Sequence, residues 1–152
     1  MIKFTDFDVV FEEIPDRVTL ALSISNCQNN CKGCHSAYLR KNVGTVLTRS
    51  LIKEMFDTQL KYCNCFLLLG EGDDRETLIN LSDYVKKEYG IETAIYSGRD
   101  EVEDDYFDHF DFVKVGSWQS EKGPLNKETT NQRLYYHGED ITYKFWKNKK
   151  VD

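Results

Sequence analysis

The sequence predicts an α/β fold in which mostly parallel strands alternate with helices and a hairpin closes the chain. Apolar segments of strand length alternate with segments whose apolar residues recur at helical spacing. Strands and helices that alternate in this way form parallel βα units joined by right-handed crossovers. The length of 152 residues fits a single domain spanning residues 1–152.

Two strands are predicted before the first helix. Residues 4–11 are expected to form a short edge strand or arm. Residues 18–25 alternate large apolar with small or polar side chains, and this period of two predicts a strand with one face in the core. A short helical segment is expected over residues 36–41, before Gly44 interrupts it.

A helix and a buried strand follow. Thr48 is expected to cap a helix. The apolar stripe of this helix comprises Leu51, Ile52, Met55, Phe56 and Leu60. Residues 65–69 form a continuous apolar run, which is typical of a strand covered on both faces in a parallel sheet.

The next helix has recognisable start and stop signals. Asp73 and Glu76 form a potential capping pair, and Gly90 follows the last apolar residue, Tyr89. The remaining predicted strands are residues 92–96, residues 112–115, and the pair 133–136 and 141–146 around a turn at 137–140. The acidic segment 100–111 is predicted as a loop or short helix, and the polar segment 117–132 as a loop.

Composition and charge exclude some classes of function. The net charge of −6 argues against bulk binding to nucleic acid, which needs a basic surface. No apolar run approaches the roughly 20 residues of a membrane span, and residues 1–6 lack the apolar core of a secretory signal. Five cysteines, an odd number with three clustered, are typical of metal ligands in a reducing compartment. We therefore expect a cytoplasmic protein with neither a nucleic-acid partner nor a membrane partner.

Three cysteines dominate the interpretation of function. Cys27, Cys31 and Cys34 fall within eight residues, directly after the strand predicted at 18–25, with the spacing C-x3-C-x2-C. Thiolates suit zinc or iron–sulfur clusters. A structural zinc site normally has a fourth Cys or His ligand, whereas three cysteines suit a [4Fe–4S] cluster whose fourth iron holds a small molecule. Structural zinc and incidental thiols remain alternatives.

Glycine-bearing turns follow the middle strands. Residues 70–72, Ser97 with Gly98, and Gly116 are expected on one rim with the cysteines, because ligands collect at the carboxyl ends of parallel strands. Glycine lets a ligand approach the backbone closely, and Glu71 can accept hydrogen bonds from a cationic amine. Each turn taken alone is equally consistent with an ordinary βα connection.

Together these residues resemble the radical S-adenosylmethionine superfamily, whose defining C-x3-C-x2-C segment matches the three cysteines. More narrowly, the chain is similar to the activating proteins of anaerobic ribonucleoside-triphosphate reductase, which commonly carry glycine before the third cysteine, as Gly33 stands here. Further matching landmarks are residues 70–73, residues 96–98, residues 130–135, and Phe145 with Trp146. The similarity spans roughly the whole chain by the order and spacing of these landmarks.

The resemblance implies a shortened radical-SAM partial (βα) barrel around one [4Fe–4S] cluster held by the three cysteines. S-adenosylmethionine would chelate the fourth iron through its amino and carboxylate groups. The implied cofactor contacts are Gly70, Glu71 and Gly72 around the methionine part, and Ser97 and Gly98 around the ribose.

The implied reaction is reductive cleavage of S-adenosylmethionine to methionine and a 5′-deoxyadenosyl radical. This radical would remove hydrogen from a glycine of the large reductase subunit, which is the implied protein substrate. A low-potential electron donor such as flavodoxin is a second implied partner.

One turn departs from the family's pattern. Many relatives have two adjacent glycines followed by Asp or Glu, whereas residues 69–73 are Leu-Gly-Glu-Gly-Asp. Either Glu71 or Asp73 can therefore be the partner of the cofactor amine, and we favour Glu71.

Several alternatives remain open. The same chemistry can act on another glycyl-radical enzyme or a small molecule, and a non-enzymatic zinc or iron–sulfur interaction module is a more remote possibility. Residues 131–133 can contact the adenosine or the reductase, or can simply tie a loop into the hairpin. Cys63 and Cys65 are expected to pack in the core rather than form a second metal or redox site. The acidic run 100–105 is expected to be a solvated face, with a basic partner surface as the alternative.

Overall fold

The computed structural model describes residues 1–26 and 41–147, apart from the side chains of residues 59 and 147. The strands of this part of the chain are β1 (Lys3–Val10), β2 (Thr19–Ile24), β3 (Thr45–Val46), β4 (Cys65–Leu69), β5 (Glu92–Tyr96), β6 (Phe112–Val115), β7 (Arg133–Tyr136) and β8 (Glu139–Asp140). The helices are α1 (Arg49–Met55), α2 (Arg75–Tyr89), α3 (Tyr106–His109) and α4 (Lys144–Lys147), and a π-helical turn (Phe56–Leu60) continues α1.

All eight strands belong to one mixed sheet, in the order β3-β1-β2-β4-β5-β6-β7-β8. β2, β4, β5 and β6 pair in parallel and in chain order. The flanking pairs, β1 with β2 and with β3, and β7 with β6 and with β8, are antiparallel. The predicted α/β class is therefore confirmed, with the parallel pairing confined to the middle of the sheet.

The helices between the parallel strands cover one face of the sheet. Right-handed crossovers that always advance in the same direction along a sheet keep their helices on one side of it. The apolar cluster on this helical face includes Leu22, Phe66, Leu68, Ile95 and Val113 from the strands and Ile52, Leu78, Val85 and Tyr106 from the helices. Full burial of one such large side chain contributes about 1.5–3 kcal/mol.

The opposite face has a different covering. The strand residues of this face include Ala21, Cys65, Leu67, Ala94, Phe112 and Leu134. They pack against Ile14 from the β1–β2 connection, Leu125 from the long loop before β7, and Ile141 and Phe145 near the end of the described chain. We call this side the loop-covered face.

β2 differs from its expected half-buried pattern. Thr19, Leu20, Ala21 and Leu22 are all buried, so both faces of the strand lie in the core. The physical reason is that β2 lies inside the sheet between β1 and β4, where its small residues pack beneath the loop layer. β1, expected as a short edge strand or arm, is eight residues long and is itself partly covered by β3.

The two larger helices begin and end close to their predicted positions. The Thr48 side chain accepts the Leu51 N–H at 3.2 Å and caps α1, as predicted. α2 begins one residue later than expected, because Asp74 rather than Asp73 caps it by accepting the Thr77 N–H at 3.2 Å. Gly90, with φ +64°, ends α2 in the left-handed conformation.

The C-terminal hairpin is shorter than predicted. β7 is confirmed, but its partner is β8, and the predicted strand 141–146 is instead a turn at residues 141–143 followed by the first residues of α4. The Asp140 carboxylate accepts hydrogen bonds from the Thr142 N–H at 2.9 Å and from the Thr142 hydroxyl at 2.6 Å. The same hydroxyl oxygen accepts the Leu134 N–H at 2.8 Å. These side-chain bonds replace strand pairing and turn the chain out of the sheet.

Predictions for residues 27–40 lie outside the described residues. They include the cluster ligands Cys27, Cys31 and Cys34, the glycine at position 33, and almost all of the short helix expected over 36–41. Within the described ranges, no helix has both the length and the apolar composition needed to cross a bilayer.

Candidate functional site

The carboxyl ends of the four parallel strands form one rim of the sheet. β2 ends at Ile24 and leads through Ser25 and Asn26 to Cys27, the first residue beyond the described segment. β4, β5 and β6 end in the turns that begin at Gly70, Ser97 and Gly116. Leu69 pairs with Ser23 on one side and with Tyr96 on the other. The end of β2 and the turns that begin at Gly70 and Ser97 therefore lie side by side. The turn at Gly116 follows β6, the next strand of the sheet.

Two glycines allow the β4 turn to pack against the end of β2. Gly70 has φ +116°, and a Cβ placed on it would lie 3.2 Å from the Ile24 carbonyl oxygen. Gly72 has φ +64°, and a Cβ there would lie 3.0 Å from Ile2 Cδ1 and 3.3 Å from Ile24 Cγ2. A side chain at either position would strain the backbone and press on the residues that precede the cysteine segment.

The carboxylate of Glu71 is held by four donors from two other elements. Glu71 Oε2 accepts from Ser97 Oγ at 2.6 Å and from Arg99 Nε at 3.1 Å. Glu71 Oε1 accepts from Arg99 Nη2 at 2.6 Å and from the Tyr106 hydroxyl at 2.5 Å. A carboxylate has about four acceptor positions, so these bonds use its whole capacity.

The pKa of Glu71 follows from this environment. Its side chain is 14% exposed, and burial alone would raise the pKa of the carboxyl group. The hydrogen bonds from Arg99, Ser97 and Tyr106, together with the charge of Arg99, outweigh burial and lower the pKa below its ordinary value. Glu71 is therefore ionised at neutral pH. Burial raises the pKa of Tyr106, and its hydrogen bond to Glu71 raises this pKa further.

Arg99 connects this carboxylate to the acidic run 100–105. Its Nη1 and Nη2 donate to the Glu103 carboxylate at 3.0 and 2.8 Å, and the hydrogen bonding from Arg99 lowers the pKa of Glu103 to about 2. Arg75 from α2 lies 3.6 Å from Glu103 and also contacts the Asp105 carboxylate. The run 100–105 is largely exposed, as expected of a solvated face. Its Glu103 and Asp105 side chains also pair with Arg99 and Arg75, and they thereby connect the turn after β5 to α2.

The side chains predicted to contact the cofactor, and the alternative amine partner Asp73, differ in their surroundings. The side chains of Glu71 and Ser97 bind each other, and Ser97 Oγ also accepts the Arg99 N–H at 3.0 Å. Asp73, the alternative amine partner, is exposed. It lines a small cavity of about 70 Å³ together with Asn26, the residue before Cys27. Glu71, which we favoured as the partner of the cofactor amine, has its acceptor positions occupied within the chain, whereas Asp73 is exposed at a cavity beside Asn26.

A larger cavity of about 970 Å³ opens on the loop-covered face. Tyr96, Lys114 and Gln132 line it. Tyr96 and Gln132 stand in the landmark segments 96–98 and 130–135, whereas no motif of the sequence includes Lys114. Lys114 is buried, and its Nζ donates to the carbonyl oxygens of Ser97 at 3.1 Å and Gly116 at 3.0 Å. One signal was present in the sequence, since Lys114 interrupts an otherwise apolar strand and a buried charge needs a specific reason.

Residues 131–133 divide between the two interpretations. Asn131 Nδ2 donates to the Ser117 carbonyl oxygen at 3.0 Å, and Arg133 lies 3.7 Å from the Asp140 carboxylate. These two side chains tie the loop into the hairpin, as the structural alternative expected. Gln132 instead faces the cavity on the loop-covered face.

Cys63 and Cys65 are core residues, as predicted. Both are buried, but Cys63 packs in the cluster of the helical face whereas Cys65 packs in the cluster of the loop-covered face. Burial raises the pKa of both thiols, to about 12 for Cys65. They therefore do not form a common metal site.

A separate group of potential metal ligands lies at the amino ends of the parallel strands. Ligand atoms of Glu92, Asp111 and His137 lie within 4.8 Å of one another. Cations of the chain already neutralise both carboxylates, because Arg17 Nε lies 2.5 Å from Glu92 and Lys86 Nζ lies 3.6 Å from Asp111. We assign this group a structural role.

Comparison of the chain with protein-family models, with curated proteins and with solved structures found no match in any of the three.

Proposed function

We propose that this chain activates anaerobic ribonucleoside-triphosphate reductase by reductive cleavage of S-adenosylmethionine at a [4Fe–4S] cluster held by Cys27, Cys31 and Cys34. One observation carries the proposal. The C-x3-C-x2-C segment begins three residues after Ile24, at the carboxyl end of β2, which is the first strand of the parallel series. Ligands collect at this end of parallel strands in barrels and open sheets.

The topology supports a partial (βα) barrel for this function. The series β2-β4-β5-β6 advances in one direction without reversal. A doubly wound sheet would reverse its strand order and carry helices on both faces, whereas this order leaves the loop-covered face to line an interior. The finer description that we propose is a shortened barrel. Six of the described strands (β3, β2, β4, β5, β6 and β8) run in the same direction, and β1 and β7 run antiparallel between them.

The residues next to the cysteine segment are compatible with a bulky group at the rim. Gly70 and Gly72 keep the β4 turn free of side chains where it contacts Ile24. Asp73 is exposed beside Asn26 and supplies an anionic oxygen for an amine. Three cysteine thiols and a carboxylate on the turn after β4 are a donor set that would fit an iron–sulfur cluster with an amine-bearing cofactor.

When bound, the cluster and S-adenosylmethionine would supply the electron and the 5′-deoxyadenosyl radical that removes a hydrogen atom from a reductase glycine. The described residues have a supporting role. Asp73 orients the amino group of the cofactor, while Glu71 holds the turn in place through Arg99. Gly70 and Gly72 let this turn pack against Ile24, and Ser97 and Gly98 remain the proposed contacts of the ribose.

The proposed partners are the large reductase subunit as protein substrate and a low-potential donor such as flavodoxin. A cytoplasmic location remains part of the proposal, because the cluster requires reducing conditions.

The decisive experiment is anaerobic reconstitution with iron and sulfide, followed by dithionite reduction and addition of S-adenosylmethionine. We expect methionine and 5′-deoxyadenosine as products, and their absence from a reconstituted protein that holds four irons would contradict the proposal. Cys31→Ala should abolish cleavage, whereas the matched variant Cys63→Ala should retain it, because Cys63 packs in the core.

Two further measurements separate the alternatives. Incubation with the reductase and electron paramagnetic resonance should detect a glycyl radical; cofactor cleavage without that radical would favour a different substrate. Metal analysis of anaerobically purified protein that found one zinc and no iron would favour an interaction module.

A further inference from the structure

The cavity on the loop-covered face has a polar side and an apolar side. The polar side is formed by Tyr96 at the end of β5, Lys114 on β6 and Gln132 just before β7. Apolar lining comes from Phe11, Pro124, Leu125 and Phe145. A volume of about 970 Å³ is within the range of small-molecule sites, which combine apolar walls with a few convergent polar groups.

Gln132 presents an amide to this cavity. The residue is 7% exposed, and its backbone N–H donates to Thr130 Oγ1 at 3.0 Å. Within the described part of the chain, its side-chain amide makes no hydrogen bond, although it is not sealed off from the cavity. Buried polar groups normally have hydrogen-bond partners. A group bound in the cavity would complete the hydrogen bonding of this amide.

Lys114 brings a positive charge to the same place. Its ammonium is anchored by the Ser97 and Gly116 carbonyl oxygens, and the residue is 8% exposed. Gly116 also contacts Gln132, since a Cβ on Gly116 would lie 3.2 Å from Gln132 Cγ and 2.8 Å from its Cα. The Lys114 ammonium and the Gln132 side chain therefore both contact Gly116. An ammonium and an amide NH₂ are together a donor set for an oxyanion.

The acidic residues of the cavity come from a different element, the β1–β2 connection. Asp16 lies 3.9 Å from Lys144, which offsets its charge. Glu13 contributes its backbone carbonyl as acceptor for the Tyr96 hydroxyl. Glu12 and the Glu13 carboxylate belong to the same connection, whereas Lys114 lies beside Gln132 on the part of the cavity formed by β6 and the start of β7.

We propose that Lys114 and Gln132 bind the oxyanion of a small carboxylate or phosphate ligand, whose apolar body packs against Tyr96 and the apolar lining of this cavity. This site is independent of the proposed function, because it is built from described residues and needs neither the cluster nor S-adenosylmethionine. Its failure would leave cofactor cleavage untouched, and the reverse also holds.

Three probes of similar shape test the proposal on the full chain: benzoate, phenyl phosphate and the neutral benzyl alcohol. Each is titrated into ¹⁵N-labelled protein at constant ionic strength, and the Gln132 side-chain amide is followed by NMR. We expect a saturable shift with at least one anionic probe and none with benzyl alcohol. A response to only one anion assigns the ligand class. No shift of the Gln132 amide with either anion, or an equal shift with benzyl alcohol, would overturn the proposal.

Variants then test the two side chains. Lys114→Met should weaken the binding of the anionic probe at least tenfold and Gln132→Leu about fivefold, as expected for charged and neutral hydrogen bonds. Lys122→Met, an exposed lysine outside the cavity with the same change in net charge, should weaken it less than twofold. Equal losses in Lys114→Met and Lys122→Met would indicate non-specific attraction and overturn the assignment. The wild-type titration decides the proposal even if a variant does not fold, which circular dichroism checks.

Discussion

Glu71 and Arg99 form a two-bond ion pair that joins the turn after β4 to the turn after β5, with Arg99 Nε and Nη2 at 3.1 and 2.6 Å from the two carboxylate oxygens. The side chains of Ser97 and Tyr106 complete the shell around the carboxylate. The pair is mostly buried on the Glu71 side and lies beside the proposed cofactor site. Its role is to position the turn, and this role can be tested separately from the proposed cleavage of the cofactor.

Glu71→Gln should lower the free energy of unfolding at pH 7 by about 1–3 kcal/mol, because charge-assisted hydrogen bonds are lost from a largely buried carboxylate. Urea unfolding measures the change. Glu101→Gln is the matched control. Glu101 is exposed in the same rim segment and makes no ion pair with the described residues, so its loss should change stability by less than 0.5 kcal/mol, as is usual at the surface (about ±0.5).

The Glu71 pair also predicts a pH dependence. The folded pKa of Glu71 lies below its unfolded value, so its stabilisation is fully present above the unfolded pKa of about 4.3 and is lost as the pH falls through the folded pKa. Between pH 5 and pH 3, wild-type protein should therefore lose more stability than Glu71→Gln. Parallel pH profiles for the two proteins would contradict this assignment.

Gly72→Ala should destabilise the fold more than Gly90→Ala. Both glycines have φ +64°, so both substitutions carry the same left-handed backbone cost of about 1 kcal/mol. A Cβ at Gly72 also approaches Ile2 and Ile24, whereas a Cβ at Gly90 has no described neighbour within 4 Å. We expect an additional loss of about 0.5–1 kcal/mol in Gly72→Ala by denaturant unfolding, since overpacking costs about 1–3 kcal/mol in tight sites. If both variants lose the same free energy of unfolding, the turn accommodates the added methyl group without a clash and the prediction is wrong.

Adjacent aspartates should have separable effects. Asp74 caps α2 through the Thr77 N–H and hydroxyl, so Asp74→Ala should lower the free energy of unfolding by about 1 kcal/mol. Asp73→Ala should leave stability nearly unchanged, because its side chain is exposed, but should raise the KM for S-adenosylmethionine about tenfold. If Asp73→Ala cleaves the cofactor with an unchanged KM, the cofactor amine is bound elsewhere.

The thiol of Cys65 should be inert in the folded protein. Burial raises its pKa to about 12 and covers it completely, so at pH 8 only about one thiol in 10⁴ is the reactive thiolate. Iodoacetamide labelling followed by mass spectrometry should leave Cys65 unmodified under native conditions and modify it in urea. Rapid native labelling of Cys65 would show that β4 opens readily.

The local pattern of the sequence was sufficient for most of the secondary structure. Neighbours within a few residues determine the apolar run at β4, the apolar stripe and cap of α1, and the end of α2 at Gly90. The structure confirms these predictions. The segment 141–146 was predicted wrongly as a strand. Its apolar and aromatic residues suit a strand, but the side-chain bonds of Asp140 and Thr142 redirect the chain.

The sequence by itself determined the order of the larger strands and helices up to β7, although not β3, and it determined the cysteine spacing from which the function is inferred. Only the tertiary structure decided what Glu71 does, because its partners Arg99 and Tyr106 lie 28 and 35 residues away along the chain. Likewise, Lys114 and Gln132 meet at Gly116 only because β7 returns antiparallel to β6. Contacts of this kind depend on strand pairing between distant segments, which no local periodicity encodes.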